Sequence, residues 1–303
     1  ENYTVVTEFI LLGLSQNYDI QMILFLLFLL FYMIILPGNV LIIHTIWRDS
    51  QLGSPMYFFL ANLSFLDICY CSVTPPKMLA DFFSYHKTIS YNACMAQLFF
   101  LHFPGAAEAF LLMVMAYDCY VAICKPHHYT RLVNRKVCCV LVGATWGGGF
   151  IHGIILFALS IHLPLCGPNI LDNFFCDVHQ LVKLACASTY TVEFLMFLNN
   201  GVVIVMCFIL LLISYTVLLL KLQTQTSKAK NKVASTCVSH IIVVFVMWGP
   251  AMYIYGLPFF VPMEKVVAVL HTVIFPLTNS MIYTLCNKEM KGSMWKLVSK
   301  YIL

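Results

Sequence analysis

The segment "VMAYDCYVAICKP", residues 114–126, ends a long apolar run and begins a basic one. The apolar run extends back to residue 93, which is long enough to cross the ~30 Å hydrocarbon layer of a membrane. The positive charges that follow it are Lys125, Arg131, Arg135 and Lys136. Because Lys and Arg concentrate at the cytoplasmic ends of membrane spans, the segment predicts a transmembrane helix whose polar end faces the cytoplasm.

The composition of the whole chain also indicates a membrane protein. Of its 303 residues, 61% are hydrophobic and only 10% are charged, whereas soluble domains carry about 25% charged residues. Hydropathy marks seven apolar stretches, at 22–47, 56–80, 93–123, 138–162, 192–221, 233–261 and 266–286. We therefore expect an all-α membrane protein with a single domain over 1–303. It comprises an extracellular N-terminus at 1–21, a bundle of seven transmembrane helices at 22–286, and a cytoplasmic tail at 287–303 that forms a short amphipathic helix.

The orientation of the bundle follows from the loop charges. One set of loops, with the tail, holds most of the Lys and Arg residues: Arg48, Lys125, Arg131, Arg135, Lys136, Lys221, Lys228, Lys230, Lys232, Lys288, Lys291, Lys296 and Lys300. The opposite side holds only Lys77, Lys87, Lys183 and Lys265. Loops rich in Lys and Arg stay in the cytoplasm. We expect a multi-pass plasma-membrane protein with its N-terminus outside and its C-terminus inside.

One short pattern near the N-terminus agrees with this orientation. The triplet NYT at 2–4 is a glycosylation sequon in the predicted outer segment, so we expect Asn2 to carry a glycan. The triplet NLS at 62–64 also matches, but it lies within the second span and should be buried and unmodified. No signal-peptide pattern precedes the first span, which we expect to act as its own insertion signal.

The cysteines divide into an outer and an inner group. Of thirteen, four fall on the predicted outer side: Cys94, Cys166, Cys176 and Cys186. Four cysteines in an oxidising compartment can form two disulfides, and the spacing leaves all three pairings open. The other nine are expected to be free and to act as small apolar side chains. No CxxC pair has a facing partner pair, which argues against a zinc site.

Ionisable side chains inside a membrane span are costly and usually functional. Asp67 in the second span and Glu108 in the third both fall near mid-depth, and Asn279 lies in the seventh. Two carboxylates that face one interior attract a cation or leave one acid protonated. One hypothesis is a sodium site formed by these three residues. The alternative is that they only hydrogen-bond between helices. No other cofactor is expected.

A second polar region lies nearer the outer side, around His102. The surrounding segment HFPGAAEAF, 102–110, contains small or kinking residues that leave space beside the helix. Residues at comparable depth in spans five and six are Asn199, Asn200, Trp248, Gly249, Pro250, Ala251, Met252 and Tyr255. An apolar cavity with a few polar points suits a small neutral ligand. We expect Pro250 to kink span six and to provide a hinge.

Six motifs carry a family resemblance. They are TEFILLGLS at 7–15, GNV at 38–40, PMYFFLANLSFLD at 55–67, MAYDCYVAICKPHHY at 115–129, KVASTCVSHIIVV at 232–244 and PLTNSMIYTL at 276–285. Together they resemble the olfactory receptors, odorant-sensing members of the rhodopsin-like G-protein-coupled receptors. The resemblance covers essentially the whole chain.

The resemblance implies specific pairings and sites. Cys94 would pair with Cys176, and Cys166 with Cys186. Volatile odorants would bind between spans three, five and six, at positions that here are His102, Gly105, Ala106, Asn199, Val203, Trp248, Ala251 and Tyr255. Asp118 and Tyr120 would lie at the inner end, which faces a stimulatory heterotrimeric G protein.

Three positions depart from the family pattern. Cys119 stands where relatives have the Arg of an Asp-Arg-Tyr motif, and a thiol is neither a permanent cation nor a multiple donor. We expect Asp118 to be protonated instead, or to pair with a Lys or Arg of the inner loops. Ser280 replaces a usual Pro, which should straighten span seven, and Cys286 replaces a common Arg. These changes predict weakened G-protein coupling.

Other classes fit the sequence less well. A transporter or channel would show a polar path or repeated halves, and neither is visible. An enzyme would need a catalytic motif, and the sequence contains no HExxH and no intramembrane Ser–His–Asp arrangement. An opsin needs a Lys inside span seven, and this sequence has none there. An amine receptor needs an acid in outer span three, where this sequence has Leu101 and His102. Among related receptors, a non-olfactory small-molecule receptor is therefore the alternative. The lysine-rich segment 228–232 is interpreted as a cytoplasmic loop and not as a nucleic-acid site.

Overall fold

The computed structural model describes residues 6–166, 169–186, 189–223 and 264–302. Most of these residues are helical. The helices are α1 (Tyr18–Arg48), α2 (Pro55–Cys71), α3 (Pro75–Asp81), α4 (Tyr91–Cys124), α5 (Tyr129–Leu132), α6 (Arg135–Ile161), α7 (Val178–Lys183), α8 (Tyr190–Gln223), α9 (Glu264–Val269), α10 (Phe275–Cys286) and α11 (Lys288–Ile302). A π-helical turn at Leu270–Ile274 joins α9 to α10, and 3₁₀ turns lie at Ser50–Leu52 and Pro126–His128.

The long helices correspond to the predicted spans. Among the described residues, five segments are long and apolar enough to cross a membrane: Tyr18–Arg48, Pro55–Asp81, Tyr91–Cys124, Arg135–Ile161 and Tyr190–Val217. They match the first five predicted stretches, although each begins one to four residues earlier. The sixth stretch, 233–261, lies outside the described residues. The seventh, 266–286, corresponds to α9, the π-helical turn and α10.

The second span contains a break that the hydropathy pattern does not show. α2 ends at Cys71, and α3 begins at Pro75. Pro75 and Pro76 have no N–H groups, and a proline ring clashes with the preceding turn of a helix. The amide of Ser72 still bonds the carbonyl of Ile68, so the chain turns at once and re-enters a helix on the two prolines.

α4 lies at the centre of the described bundle. It is more deeply buried than the other long helices, whereas most of the apolar surface of α1 is exposed and available to lipid. α4 packs most closely against α6, where a Cβ added to Gly149 would lie 2.8 Å from Ala107 and from the carbonyl oxygen of Phe103. Only a glycine fits such a close approach. α4 continues through Pro104 without interruption.

A small three-stranded sheet covers the end of the bundle that the sequence predicts to be the outer one. β1 (Glu8–Leu11) pairs antiparallel with β2 (Thr88–Ser90) and parallel with β3 (Ile170–Leu171). Phe9 and Leu11 on β1 are fully buried in a cluster that includes Cys94 and Cys176. The sequence analysis assigned residues 1–21 only to an extracellular N-terminus and did not predict this strand.

The tail forms the predicted amphipathic helix, α11. Its apolar face includes Met290, which is fully buried, and Met294, which packs against the main core. The hydroxyl of Tyr57 donates a hydrogen bond to Glu289 over 2.9 Å and so ties α11 to α2. A hydrogen bond from Ser293 lowers the pKa of Asp49, which follows α1. These contacts hold the tail against the end of α1 and the start of α2, the side that the sequence predicts to be the inner one.

Candidate functional site

An outer polar cluster forms where three helices meet. His102 on α4 and His152 on α6 have ring centroids 6.2 Å apart. Asn199 on α8 donates a hydrogen bond from Nδ2 to the backbone carbonyl of His152 over 3.4 Å. His152 is only 7% exposed, and its Nδ1 has no hydrogen-bond partner in the described part of the chain. The predicted site residues His102 and Asn199 therefore both lie beside His152.

The other predicted ligand-binding residues are distributed around this cluster. Ala106 is buried in α4, and Val203 on α8 packs against the main core. Gly105 faces α2, because a Cβ at this position would lie 3.4 Å from the ring of Tyr70. The predicted residues Trp248, Ala251 and Tyr255 fall outside the described residues.

Sequence reasoning did not place His152 in the site. A single histidine in a helix carries no positional signal, so nothing in the sequence singled out this residue. The signal that was present is the glycine pair Gly149 and Gly153. Both bring α6 into direct contact with α4, where an added Cβ would lie within 3.1 Å of α4 atoms.

Two disulfides cover the outer end of the bundle. Cys94 pairs with Cys176 at a Cα–Cα distance of 5.4 Å, and Cys166 pairs with Cys186 at 5.6 Å. These are the two pairings that the family resemblance implies. The side chain of Gln97 accepts a hydrogen bond from the amide of Cys176 over 2.9 Å. The long outer loop is thereby fixed over α4, above His102.

A second polar cluster lies near mid-depth. Asn279 on α10 donates from Nδ2 to a carboxylate oxygen of Asp67 on α2 over 3.0 Å. Both carboxylate oxygens of Glu108 and the amide oxygen of Asn279 are buried with no hydrogen-bond partner among the residues described. The carboxyls of Glu108 and Asp67 lie close enough to interact electrostatically and to share a hydrogen bond when one of them is protonated. The three predicted residues therefore share one buried, oxygen-rich region.

The cation-binding capacity of this region depends on its amide as well as its acids. In the described residues, no group of three or more His, Cys, Asp or Glu side chains is placed to hold a metal ion. Two carboxyls and an amide oxygen remain, and hard cations prefer such oxygen ligands. Three unpaired buried oxygens on Glu108 and Asn279 are compatible with a monovalent cation.

At the inner end of α4, Asp118 has a partner that the sequence analysis did not predict. Asp118 is 3% exposed and accepts a hydrogen bond over 2.9 Å from the hydroxyl of Tyr129 on α5. The expected Lys or Arg partner is absent from the ion pairs of the described residues. Burial, with the nearby Asp118 charge, raises the pKa of Tyr129, so the phenol remains protonated and can donate. Cys119 is buried beside Asp118, and Tyr120 is partly buried against the main core.

A positively charged groove lies next to this inner end. It has a volume of about 560 Å³ and is lined by Cys124, Lys125, Pro126, His127, His128, Arg131 and Leu132. No Asp or Glu occurs in the sequence from Cys119 to Leu171. The groove therefore presents a surface that favours acidic partners.

Comparison with known proteins identifies the family. A family model described as "Olfactory receptor" matches residues 28–301. The chain belongs to the olfactory receptor family. It is 57% identical over 305 residues to olfactory receptor 4M1 of Homo sapiens, with 100% of this chain and 97% of the relative covered. Olfactory receptor 4M1 of Mus musculus is 57% identical over 304 residues, covering 99% of this chain and 97% of the relative. Olfactory receptor 4N5 of Homo sapiens is 55% identical over 303 residues, covering 100% and 98%.

Membership in the olfactory receptor family confirms both the resemblance and the fold class. The matched range includes the sixth predicted span, and the family has a bundle of seven transmembrane helices. The chain is therefore a multi-pass membrane protein. Olfactory receptors are a family of signalling receptors and not of enzymes.

Proposed function

We propose that this protein is an odorant receptor that binds small volatile organic molecules and signals to a stimulatory heterotrimeric G protein. The observation that carries this proposal is similarity over the full chain to proteins named as olfactory receptors. In the proposed orientation, the N-terminus lies outside the plasma membrane and the C-terminus lies in the cytoplasm. The charge asymmetry of the loops supports this orientation.

The proposed ligand pocket lies in the outer half of the bundle, between spans three, five and six. Its polar points are His102 and Asn199, and its proposed apolar lining includes Ala106, Val203, Trp248, Ala251 and Tyr255, with Gly105 at its edge. Small neutral ligands suit this composition because most of the surface is apolar and the polar groups are few. The outer loop, held by the two disulfides, supports a location below it.

The proposed mechanism is a shift between two receptor conformations. A ligand that binds one conformation more tightly raises its population, and span six then moves to open an inner cavity. A ligand with equal affinity for both conformations would bind without signalling. Asp118, Cys119 and Tyr120 lie at the end of α4 where the G protein is proposed to dock.

Coupling is proposed to be weaker than in relatives that carry Arg at position 119. A cysteine provides neither the cation nor the donors of a guanidinium. The Tyr129–Asp118 hydrogen bond supports a resting state that is held without this cation. The basic groove beside it supports electrostatic attraction of an acidic G-protein surface.

A screen of a volatile-odorant panel tests the function. Cells that express the receptor, or its Cys119→Arg variant, are compared for ligand-dependent cAMP at matched surface expression. At least one odorant should raise cAMP, and Cys119→Arg should increase the maximal response. If no odorant raises cAMP in either receptor while both reach the surface, the proposed function is wrong. An unchanged maximum in the variant would refute only the weakened coupling.

A sodium ion is proposed to bind among Asp67, Glu108 and Asn279. The unpaired buried oxygens of Glu108 and Asn279 support this site. The purified receptor should melt at a higher temperature in sodium chloride than in choline chloride at equal ionic strength. Glu108→Gln should remove this difference, whereas Glu193→Gln, the same chemical change on α8, should preserve it. Equal melting temperatures of the unmodified receptor in the two salts would exclude the site.

A further inference from the structure

The backbone that carries His152 is closely packed at the junction of α4, α6 and α8. The backbone of α6 contacts α4 closely both before and after His152 in the sequence. Cβ atoms added at Gly149 and Gly153 would lie 2.8 and 3.1 Å from atoms of α4. Asn199 adds an anchor from α8 through its hydrogen bond to the carbonyl of His152. A side chain supported in this way can hold a ligand group in one geometry.

The hydrogen-bonding capacity of His152 is incompletely used. The ring is 7% exposed, and in the described residues its Nδ1 has no partner. A buried polar atom without a hydrogen-bond partner is unfavourable. A ligand group that forms a hydrogen bond with Nδ1 would remove this penalty and so bind more tightly. The neighbouring His102 ring has its centroid 6.2 Å away, so two imidazoles lie side by side in the outer cluster.

The chemistry of imidazole limits which ligands can satisfy this atom. In a neutral imidazole, one nitrogen donates a hydrogen bond and the other accepts one. A hydroxyl group both donates and accepts, so it can bond Nδ1 in either tautomer. An ether oxygen only accepts, and an alkane does neither. A hydroxyl is therefore the smallest uncharged group that suits the site whichever nitrogen carries the proton.

We propose that His152 forms a hydrogen-bonding subsite, with His102 and Asn199 beside it, that selects odorants carrying a hydroxyl group. This inference rests on the proposed odorant-receptor function and specifies the ligand class of the same pocket. Sites that hydrogen-bond a ligand group discriminate strongly against analogues that lack it, because the buried atom is then left unpaired. His152 acts as a specificity-determining residue.

The test compares three series of ligands on the full-length receptor in cells. Straight-chain primary alcohols from butanol to decanol are measured with their isomeric methyl ethers and with alkanes of equal heavy-atom number. The unmodified receptor should respond to alcohols at concentrations about tenfold or more below those of the isomeric ethers. This preference is measured without any substitution, so it does not depend on a variant that folds.

Two variants then assign the preference to His152. His152→Ala should raise the half-maximal concentration for alcohols about tenfold and leave that for ethers little changed, so that the preference disappears. His162→Ala changes an exposed histidine at the end of the same helix and should leave the preference intact. His152→Gln retains a polar group and should keep part of it.

The outcomes separate the inference from the proposed function. If the unmodified receptor responds to odorants without an alcohol preference, or if His152→Ala keeps the preference at normal surface expression, the inference is wrong and the proposed function stands. If no odorant of any class gives a response, including those of the volatile panel, both are wrong.

Discussion

Asp118 shows how a buried carboxyl can be bonded by a neutral donor. The carboxyl is 3% exposed, and a buried carboxylate needs hydrogen bonds to remain stable. The adjacent Cys119 cannot replace a guanidinium, but Tyr129, eleven residues along the chain, donates a hydrogen bond instead. The inner end of α4 is therefore linked to α5 by a neutral donor, and this link does not depend on an ion pair.

Tyr129→Phe should destabilise the receptor through this one contact. The substitution removes the hydroxyl and keeps the ring, so Asp118 loses a donor while the apolar packing is retained. Loss of a hydrogen bond to a buried charged group costs about 1–3 kcal/mol. The melting temperature of the purified variant should fall accordingly. Tyr117→Phe, which removes a hydroxyl from an exposed tyrosine on α4, should have no such effect, and equal losses in the two variants would contradict the assigned role.

At the residue scale, sequence reasoning located groups but not their partners. Asp67, Glu108 and Asn279 were grouped because acids and amides within apolar spans are rare, and they share one region of the structure. Tyr129 was missed because it lies beyond the end of α4, and hydropathy does not show how a loop folds back. The cysteine pairings likewise required the family resemblance, since spacing alone allows three arrangements.

The contact between α4 and α6 is determined by backbone approach at glycine. A Cβ on Gly149 would lie 2.8 Å from the backbone nitrogen and Cβ of Ala107, and from the carbonyl oxygen of Phe103. Backbone atoms in two packed helices cannot move aside as the end of a flexible side chain can. Small residues allow this close packing in membranes, where it takes the place of a hydrophobic driving force.

A pair of glycine substitutions on α6 tests this packing. Gly149→Ala should separate α6 from α4 and destabilise the receptor by about 1–3 kcal/mol, the usual range for overpacking. Gly147→Ala is the matched control, because its Cβ would meet nothing within 4 Å. It should be neutral or stabilising by up to about 1 kcal/mol, since alanine favours helix over glycine. The measurement is thermal unfolding in detergent, and a stable Gly149→Ala variant would show that the helices separate freely.

At the element scale, the sequence predicts helices well and strands poorly. A long apolar run within a membrane is expected to form a helix, because a helix satisfies its own backbone hydrogen bonds. β1 gives no comparable signal. Its burial alternates, but Ile10 is apolar and partly exposed, so the hydrophobicity does not alternate. Its partners, at 88–90 and 170–171, are also distant in sequence. The break before Pro75 was readable in principle from two adjacent prolines.

In the described part of the molecule, both ends of the bundle are tied together by contacts between different elements. The outer end has a three-stranded sheet, two disulfides and an ion pair of 2.6 Å between Lys265 and Asp172. At the inner end, Tyr57 bonds Glu289, and Tyr129 bonds Asp118. Between them, buried oxygens of Asn39, Glu108 and Asn279 have no partner in the described residues. A ligand or ion that bonds these unpaired oxygens in one receptor conformation more tightly than in another would shift the equilibrium between the conformations.

The orientation of the molecule can be tested with its two sequons. Asn2 belongs to the segment proposed to lie outside, and it should carry a glycan that N-glycosidase F removes. Asn62 lies within α2, where it is partly exposed and not buried as the sequence analysis predicted. It donates its side-chain amide to the carbonyl of Phe58 over 2.9 Å, and its position within a membrane span should leave it unmodified. Asn2→Gln should therefore abolish the mobility shift on a denaturing gel, whereas Asn62→Gln should preserve it. If Asn2→Gln leaves the shift intact, or if the unmodified receptor shows none, the N-terminus has no glycan at Asn2. Antibody labelling of a C-terminal epitope on intact cells would then show that the C-terminus lies outside. The proposed orientation would be wrong, and the basic groove would not face the cytoplasm.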